Sequence, residues 1–90
     1  MFTVRWEASA LNELMTLWTE ADSALRASIT STTHQIDQDL QSDPKGHGES
    51  RPGNRRILFH APLGITYRIE ADGQMVSVLR VWLFRKRGHP

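Results

Sequence analysis

Apolar and polar residues alternate along several segments of this chain of 90 residues. From Phe2 to Trp6 every second residue is apolar, which is the period of a half-buried β-strand. Alternation or β-rich composition predicts three later strands, over residues 55–60, 63–70 and 75–84. The last of them is apolar on both faces, as in a central strand that is covered on both sides. Asp72-Gly73, between the last two strands, is a strong hairpin signal.

Two helices are predicted between the first and second strands. One spans about residues 8–20, where four apolar residues form a stripe at helical spacing: Leu11, Leu14, Met15 and Trp18. The other is expected to follow an N-cap at Asp22 and to stop at Ser42-Asp43-Pro44, because the residue before a proline avoids the helical conformation. Its apolar face consists of Leu25, Ile29, Ile36 and Leu40. Residues 43–54 contain three Gly and two Pro and are predicted to be a loop.

The predicted order is β-α-α-β-β-β, an α+β fold in which two helices pack on one small, mainly antiparallel sheet. The length predicts a single domain over residues 1–90. The absence of cysteine excludes disulfides and thiolate metal sites and is typical of a reducing compartment. No apolar run approaches the roughly 20 residues of a membrane span, and the first residues lack the apolar stretch of a signal peptide. We therefore expect a cytoplasmic protein without a membrane partner.

Charge is divided unevenly along the chain. The net charge is −5 over residues 1–49 and +6 over residues 50–90, and nine of the eleven basic residues are arginines. Arginine suits contacts with phosphate or carboxylate, so an anionic partner is predicted for the C-terminal half, with a solvated face of ordinary ion pairs as the alternative. The residues predicted to bind an anion or target are Arg51, Arg55, Arg56, Arg80, Arg85, Lys86 and Arg87. For Arg80, in mid-strand, a salt bridge with a helix carboxylate is an equal alternative.

Several short motifs follow one another in a fixed order. They are Trp6; Ile36-Asp37 with Leu40; Asp43-Pro44 with Gly46 and Gly48; Arg55-Arg56; the segment 62–69; Val78 to Val81; and the basic Arg85-Lys86-Arg87. Together with the predicted elements, they resemble the RelE/ParE superfamily of bacterial toxins, which includes plasmid stabilisation proteins. The resemblance covers nearly the whole chain.

The resemblance implies the toxin of a type II toxin–antitoxin module, which inhibits growth until a cognate antitoxin neutralises it. RelE-like members cleave messenger RNA on the ribosome, and ParE-like members inhibit DNA gyrase without cutting nucleic acid. A chain that has kept the fold, lost the activity and only pairs with its partner is a third alternative. No cofactor is expected, and His34 with Asp37 lacks a third metal ligand.

Metal-independent RNA cleavage requires a base, cations around the phosphate and a proton donor. Because arginine stays protonated, the proton transfer of a ribonuclease would depend on His60, His89 or both. The alternatives are that His60 is a turn residue and that His89 is only part of the chain's end.

The RelE-like set of site residues is incomplete in this chain. The resemblance implies basic residues at Arg55, Arg56 and Arg85, but Gly64 stands where an arginine is expected to enter the third strand, and no tyrosine follows Tyr67. This favours a gyrase-binding toxin over a ribosome-dependent endoribonuclease, as does the run from Val78 to Val81. Arg85-Lys86-Arg87 is expected beside Arg55-Arg56 in the sheet, where they would form a joint anion site. Antitoxin binding is predicted for Trp18, Arg55, Arg56 and Arg85.

Overall fold

The computed structural model describes residues 1–84 of the chain. Its elements are β1 (Thr3–Trp6), α1 (Ala8–Glu20), α2 (Ser23–Ser42), β2 (Glu49–Arg51), β3 (Arg55–His60), β4 (Leu63–Ile69) and β5 (Met75–Leu83). The strands form one sheet in the order β1-β5-β4-β3-β2, in which β1 is parallel to β5 and all other pairs are antiparallel. The predicted α+β fold, with two helices packed on a mainly antiparallel sheet, is confirmed. Neither helix is long and apolar enough to cross a membrane.

The core lies between the helices and the inner face of the sheet. From α2, Ile29, Ile36 and Leu40 are almost completely buried. Opposite them lie the buried strand residues Leu63, Ile65, Tyr67, Val76, Val78 and Val81. Burial of one such aliphatic side chain stabilises the fold by about 1.5–3 kcal/mol, which holds α2 in place although its Ser- and Thr-rich middle is a poor helix former. Asp22 is the N-cap, as predicted, and its side chain accepts a hydrogen bond of 2.8 Å from the backbone of Leu25.

Of the apolar stripe predicted for α1, only Leu14 packs against the core. Leu11, Met15 and Trp18 are 47%, 67% and 44% exposed. The helix contacts the core instead through Ala10, Leu14 and Leu17. α1 therefore carries two apolar faces, of which the outer one is uncovered.

β5 lies between two other strands, but only one of its faces is covered by helices. A register shift after Thr66 leaves Leu79 as an extra residue without a partner in β4. Such a bulge changes the phase of the alternation, so Val78 and Val81 both face the helices although they are three residues apart. The prediction of a strand covered on both sides is therefore wrong, because the phase change was mistaken for two apolar faces.

Part of the segment predicted to be a loop forms β2, a three-residue edge strand paired with β3. Gly53 and Asn54, with φ of 80° and 61°, turn the chain between the two strands. The loop prediction for residues 43–54 is thus wrong over Glu49–Arg51. All three residues are polar and exposed, so no hydrophobic pattern marked the strand.

Gly48 and Gly53 provide a matched pair of substitutions. A Cβ on Gly48 (φ 72°) would lie 2.8 Å from the Ile57 carbonyl oxygen and 2.8 Å from the Tyr67 hydroxyl, whereas one on Gly53 (φ 80°) would meet nothing within 4 Å. We expect Gly53→Ala to destabilise the protein by about 1–2 kcal/mol through left-handed strain. Gly48→Ala should cost about 1–3 kcal/mol more because of the overlap. Urea unfolding measures both, and equal losses would contradict the close approach at Gly48.

Candidate functional site

The face of the sheet opposite the helices, called here the helix-free face, carries five arginines from residues 1–84. Four of them lie in one row across the sheet, since Arg51 pairs with Arg55, Arg55 pairs with Arg68, and Ser77 pairs with both Arg68 and Arg5. The fifth, Arg80, lies in the next row, about 7 Å further along the strands. A cavity of about 390 Å³ lies among Arg55, Arg68 and Arg80.

Four of these arginines are paired with carboxylates. The pairs are Arg80–Glu13 (2.8 Å), Arg51–Glu49 (3.1 Å), Arg68–Glu70 (3.4 Å) and Arg5–Glu7 (3.6 Å). Each is at least partly exposed, so each is worth only about 0–1 kcal/mol and can rearrange. Arg55, in the middle of the row, makes no ion pair with any residue of the described part of the chain.

The Arg80 pair is the salt bridge with a helix carboxylate that the sequence left open as one alternative. Arg80 Nε donates to Glu13 Oε2 at 2.8 Å, and the backbone N–H of Val81 donates to Glu13 Oε1 at 3.1 Å. β1 ends at Trp6, which pairs with Val78, so beyond that residue the edge of β5 that faces away from β4 has no strand beside it, and the Glu13 carboxylate accepts the hydrogen bond that a strand would. Arg80 thus fastens α1 to β5 while its side chain stays mostly exposed.

A second basic region lies at the end of the sheet where the β2–β3 and β4–β5 turns meet. A cleft of about 590 Å³, called here the hairpin-end cleft, is lined by Lys45, Arg51, Arg55, Arg56 and Glu70, among others. Arg55 borders both this cleft and the cavity among the arginines. The two regions therefore form one continuous basic surface around Arg55.

Arg56 turns to the opposite side of the sheet from Arg55, because successive residues of a strand alternate between faces. Its guanidinium donates to the carbonyl oxygens of Lys45 (3.0 Å), His47 (3.2 Å) and Gly48 (3.2 Å) and to the side-chain oxygens of Ser50 (2.9 Å) and Tyr67 (3.2 Å). These contacts tie the segment before β2 to the sheet. Arg56 thus adds charge to the cleft, while its donors are used within the chain.

The Tyr67 hydroxyl completes this arrangement, which we call the Arg56–Tyr67 clamp. The hydroxyl oxygen lies 2.7 Å from the carbonyl oxygen of Pro44 and within hydrogen-bonding distance of that of His47, and it donates its one proton to one of them. The residue is completely buried. Burial raises the pKa of Tyr67, although the Arg56 guanidinium opposes the rise.

Glu70 is the carboxylate closest to the centre of the arginine row. The Ser77 hydroxyl donates to it at 2.6 Å, and Arg68 approaches at 3.4 Å. The hydrogen bond from Ser77, together with Arg68, holds the pKa of Glu70 below its usual value. A carboxylate held in this way stays ionised at neutral pH and is a weaker general base.

His60 does not reach the arginines. It pairs with the buried Leu63, so its side chain faces the helices, and it lies at the opposite end of β3 from Arg55, about 17 Å away along the strand. His89 lies outside the described residues. Within residues 1–84 no group of three or more His, Asp or Glu side chains is placed to hold a metal ion.

The prediction that Arg85-Lys86-Arg87 lies beside Arg55-Arg56 assumed that β5 ends near Arg55. β3 and β5 run in the same direction, since each is antiparallel to β4, so the beginning of β5 and not its end lies level with Arg55, with Arg68 of β4 between them. At its other end the backbone N–H of Phe84 donates to the Pro62 carbonyl oxygen at 2.6 Å. Arg85, Lys86 and Arg87 themselves lie outside the described residues.

Trp18 borders a cavity of about 440 Å³ between α1 and α2, called here the helix groove. Its lining includes Leu14, Met15, Trp18, Ile29, Thr33 and His34. The Arg26 guanidinium lies 4.3 Å from the Trp18 ring centroid and donates to the carbonyl oxygens of Trp18 and Thr19. A cation there satisfies the last carbonyls of α1 and holds the indole at the groove wall.

Three aromatic side chains form a cluster on the helix-free face that was not identified from the sequence. The ring centroids of Phe59 and Trp82 are 6.1 Å apart, nearly perpendicular, and those of Phe59 and Phe84 are 4.7 Å apart. A Cβ on Gly64 would lie 2.6 Å from the Trp82 indole nitrogen, so the indole lies against this glycine. The position where the RelE-like pattern has an arginine is therefore covered by Trp82.

Arg5 and Arg68 were also missed as site residues. Each alternates with apolar neighbours, Val4 and Trp6 in one case and Tyr67 and Ile69 in the other, so the period-2 pattern contained the signal. What it could not supply was the pairing of strands that brings both residues into one row with Arg55.

Comparison with known proteins gives a match in structure only. No protein-family model and no curated protein matches the sequence. A structure of the chromosomal ParDE toxin–antitoxin system from P. aeruginosa superposes with a TM-score of 0.75 at 17% identity, over 94% of this chain and 98% of that chain. The toxin–antitoxin complex RelBE2 from Mycobacterium tuberculosis gives 0.67 at 22% identity, over 93% and 98%. The isolated E. coli RelE toxin gives 0.61 at 13% identity, over 97% and 88%.

These likenesses establish the class of fold. The chain has the RelE/ParE-like fold, and because the isolated RelE toxin shares it, the fold is that of the toxin half of such pairs. Identities of 13–22% extend to the fold and not to the activity.

Replacing Tyr67 by Phe tests the clamp. The variant keeps the ring and loses the hydroxyl, so we expect a loss of about 1–2 kcal/mol at neutral pH. Because burial raises the folded-state pKa, the wild-type hydroxyl contributes its full stability below the ordinary tyrosine pKa of about 10, and that contribution is lost as the pH rises through the folded-state value. Tyr67 is the only tyrosine of the chain, so Tyr67→Phe should lack this alkaline loss. Urea unfolding between neutral pH and pH 11 measures the difference, and parallel curves would contradict it.

Proposed function

We propose that this chain is the toxin of a type II toxin–antitoxin pair and that its antitoxin neutralises it by covering the helix groove. The observation that carries the proposal is the uncovered outer face of α1, where Leu11, Met15 and Trp18 are exposed beside a cavity of about 440 Å³. Large apolar side chains exposed together next to a cavity are typical of a docking site. The fold supports the proposal, since one relative is an isolated toxin and the other two are toxin–antitoxin assemblies.

The groove fits an amphipathic helix of the antitoxin. Its lining is mainly apolar, and a partner helix fills such a groove with apolar side chains spaced by three or four residues. Of the residues predicted to bind antitoxin, Trp18 borders the groove, whereas Arg55 lies on the opposite face of the sheet. We therefore assign Trp18 to the antitoxin and Arg55 to the target. Arg85 stays a prediction outside the described residues.

We further infer that the toxin acts in the cytoplasm by binding its target, for which we propose DNA gyrase, rather than by cutting messenger RNA. Three features support this choice. The hydrogen bond from Ser77, together with Arg68, lowers the pKa of Glu70 and makes it a weaker general base, His60 faces the helices, and Trp82 covers the position expected for an arginine. Within residues 1–84 no group suited to proton transfer lies among the arginines of the helix-free face.

The substitution Met15→Glu tests the antitoxin site. Met15 is 67% exposed, so the fold should tolerate the change, but a carboxylate in the apolar groove should weaken antitoxin binding about 10- to 100-fold. Ser28→Glu adds the same charge at an exposed position of α2 outside the groove and should leave binding unchanged. Calorimetry with the product of the adjacent reading frame measures affinity, and co-expression measures neutralisation. If Met15→Glu is neutralised as well as the wild type, the groove is not the antitoxin site.

Induced expression of the wild type and of a His60→Ala, His89→Ala double variant tests the mode of action. For a binding toxin we expect growth arrest by both, altered supercoiling of a reporter plasmid and intact ribosome-bound transcripts. Loss of general acid–base catalysis would cost a ribonuclease typically 10²–10⁴-fold in rate. Transcripts cleaved by the wild type and left intact by the double variant would replace the gyrase proposal with histidine-dependent RNA cleavage.

A further inference from the structure

We propose that the helix-free face docks a protein segment in which an apolar side chain is flanked by carboxylates. The apolar side chain would pack against Phe59 and Trp82, and the carboxylates would bind Arg80 and Arg55. The inference rests on the proposed function, because it specifies the surface and the chemistry by which the toxin meets its target.

The apolar part of this surface is the aromatic cluster. Phe59 is 48% exposed, although its ring contacts Phe84 and Trp82 on either side. Trp82 is seated against Gly64, where no side chain competes for the space. The three rings hold one another in place, so a partner would lose little side-chain entropy in packing against them. Such preorganised aromatic groups are typical of the residues that dominate binding energy in protein interfaces.

The charged part lies at a spacing that an extended peptide matches. Phe59, Gly64 and Trp82 form one row across the sheet, Arg80 lies in the next row and Arg55 in the one after. Successive rows are about 7 Å apart, which is also the distance between residues i and i+2 of an extended segment. A carboxylate two or four residues from the apolar side chain would therefore reach an arginine.

Arg55 and Arg80 are both able to bind a carboxylate of the partner. Arg55 has no carboxylate partner within residues 1–84 and is exposed. Arg80 is paired with Glu13, but its side chain is mostly exposed, and an exposed pair is weak enough to be traded for a partner's carboxylate. Buried arginine–carboxylate contacts next to an aromatic anchor add specificity as well as affinity.

The distribution of acidic residues favours a protein over a nucleic acid. Proteins that bind single strands present a continuous positive groove beside their stacking aromatics. Here the arginines of the helix-free face alternate with the carboxylates Glu7, Glu13, Glu49 and Glu70. A regular chain of phosphates would place some of its charges against these carboxylates, whereas a protein segment need carry carboxylates only where Arg55 and Arg80 lie.

Three tryptophans at three distinct places make the proposal measurable. Trp82 belongs to the aromatic cluster, and Trp18 borders the helix groove. Trp6 is partly buried and donates from its indole nitrogen to Asp37 at 2.8 Å. In the full chain labelled with 5-fluorotryptophan, each gives one ¹⁹F resonance, assigned by substituting Phe for each tryptophan in turn. The resonance that moves on titration then identifies the surface that is occupied.

The labelled chain is titrated with two probes, a blocked peptide of sequence Glu-Ala-Glu-Ala-Phe-Ala-Glu-Ala-Glu, which carries carboxylates two and four residues from its Phe on both sides, and an oligouridylate of equal charge. We expect the peptide to shift Trp82 and to leave Trp18 and Trp6 unchanged. Phe59→Ala should weaken its binding about 10-fold or more, and Arg55→Ala about 3- to 10-fold. Ser28→Glu changes the net charge by the same amount on α2, away from this face, and should change little, and an unmoved Trp6 resonance confirms folding in each variant.

The proposal is overturned if about 5 mM peptide, enough to detect millimolar affinity, leaves Trp82 unmoved or shifts only Trp18. It is also overturned if oligouridylate binds at Trp82 more tightly than the peptide, which would make the face a nucleic-acid surface.

In cells, a Phe59→Ala, Arg55→Ala double variant should lose growth inhibition about 10-fold and still bind antitoxin. Full toxicity of this variant would exclude the face as the target site. A wild-type chain that leaves growth unchanged would instead refute the proposed function, and the titration would then decide the docking surface alone.

Discussion

Within residues 1–84, two helices cover only one face of the five-stranded sheet, and this constraint organises the rest of the described structure. The inner face of the sheet is buried under α2, through residues such as Ile65, Tyr67 and Val78. The outer face is exposed to water, and most of its arginines are paired with carboxylates. Arg55 is the exception within the described residues, since it is exposed and has no carboxylate partner there.

The Arg56–Tyr67 clamp makes this arrangement possible at the hairpin end of the sheet. A segment with two prolines and three glycines would not order itself, but the buried Tyr67 hydroxyl and the Arg56 guanidinium donate hydrogen bonds to its backbone carbonyl oxygens. The edge strand β2 then forms against β3 and brings Arg51 into the row with Arg55. Of these two adjacent arginines, Arg56 thus holds the fold, and Arg55 is exposed on the other face of the sheet.

The layered fold also separates the two proposed functions in space. The helix groove lies on the helices, and the aromatic cluster and arginines lie on the far side of the sheet. An antitoxin helix in the groove would therefore leave Phe59 and Arg55 uncovered unless a further antitoxin segment reaches around the sheet. An antitoxin that binds only in the groove would have to neutralise the toxin by sterically blocking the approach of the target or by changing the conformation of the toxin. It would not compete directly with the target for the same side chains.

The sequence by itself determined the class of fold, both helices with the N-cap at Asp22, the β4–β5 hairpin and four of the five strands, because these depend on local periodicity and on turn chemistry. It also contained the resemblance to RelE and ParE. It could not decide which apolar stripe of α1 would be buried, since Leu11, Met15 and Trp18 have the spacing of a core face and only the position of the sheet excludes them.

The candidate site depended on the tertiary structure. The row of arginines, the pairing of Arg80 with Glu13 and the aromatic cluster all join residues from different strands or from a strand and a helix. The opposite orientations of Arg55 and Arg56 follow from strand alternation, but which of them faces the helices was settled by the pairing of Arg56 with the buried Tyr67. Local sequence determines which elements form, and the register between strands determines which side chains meet, because that register is set by packing of the whole core.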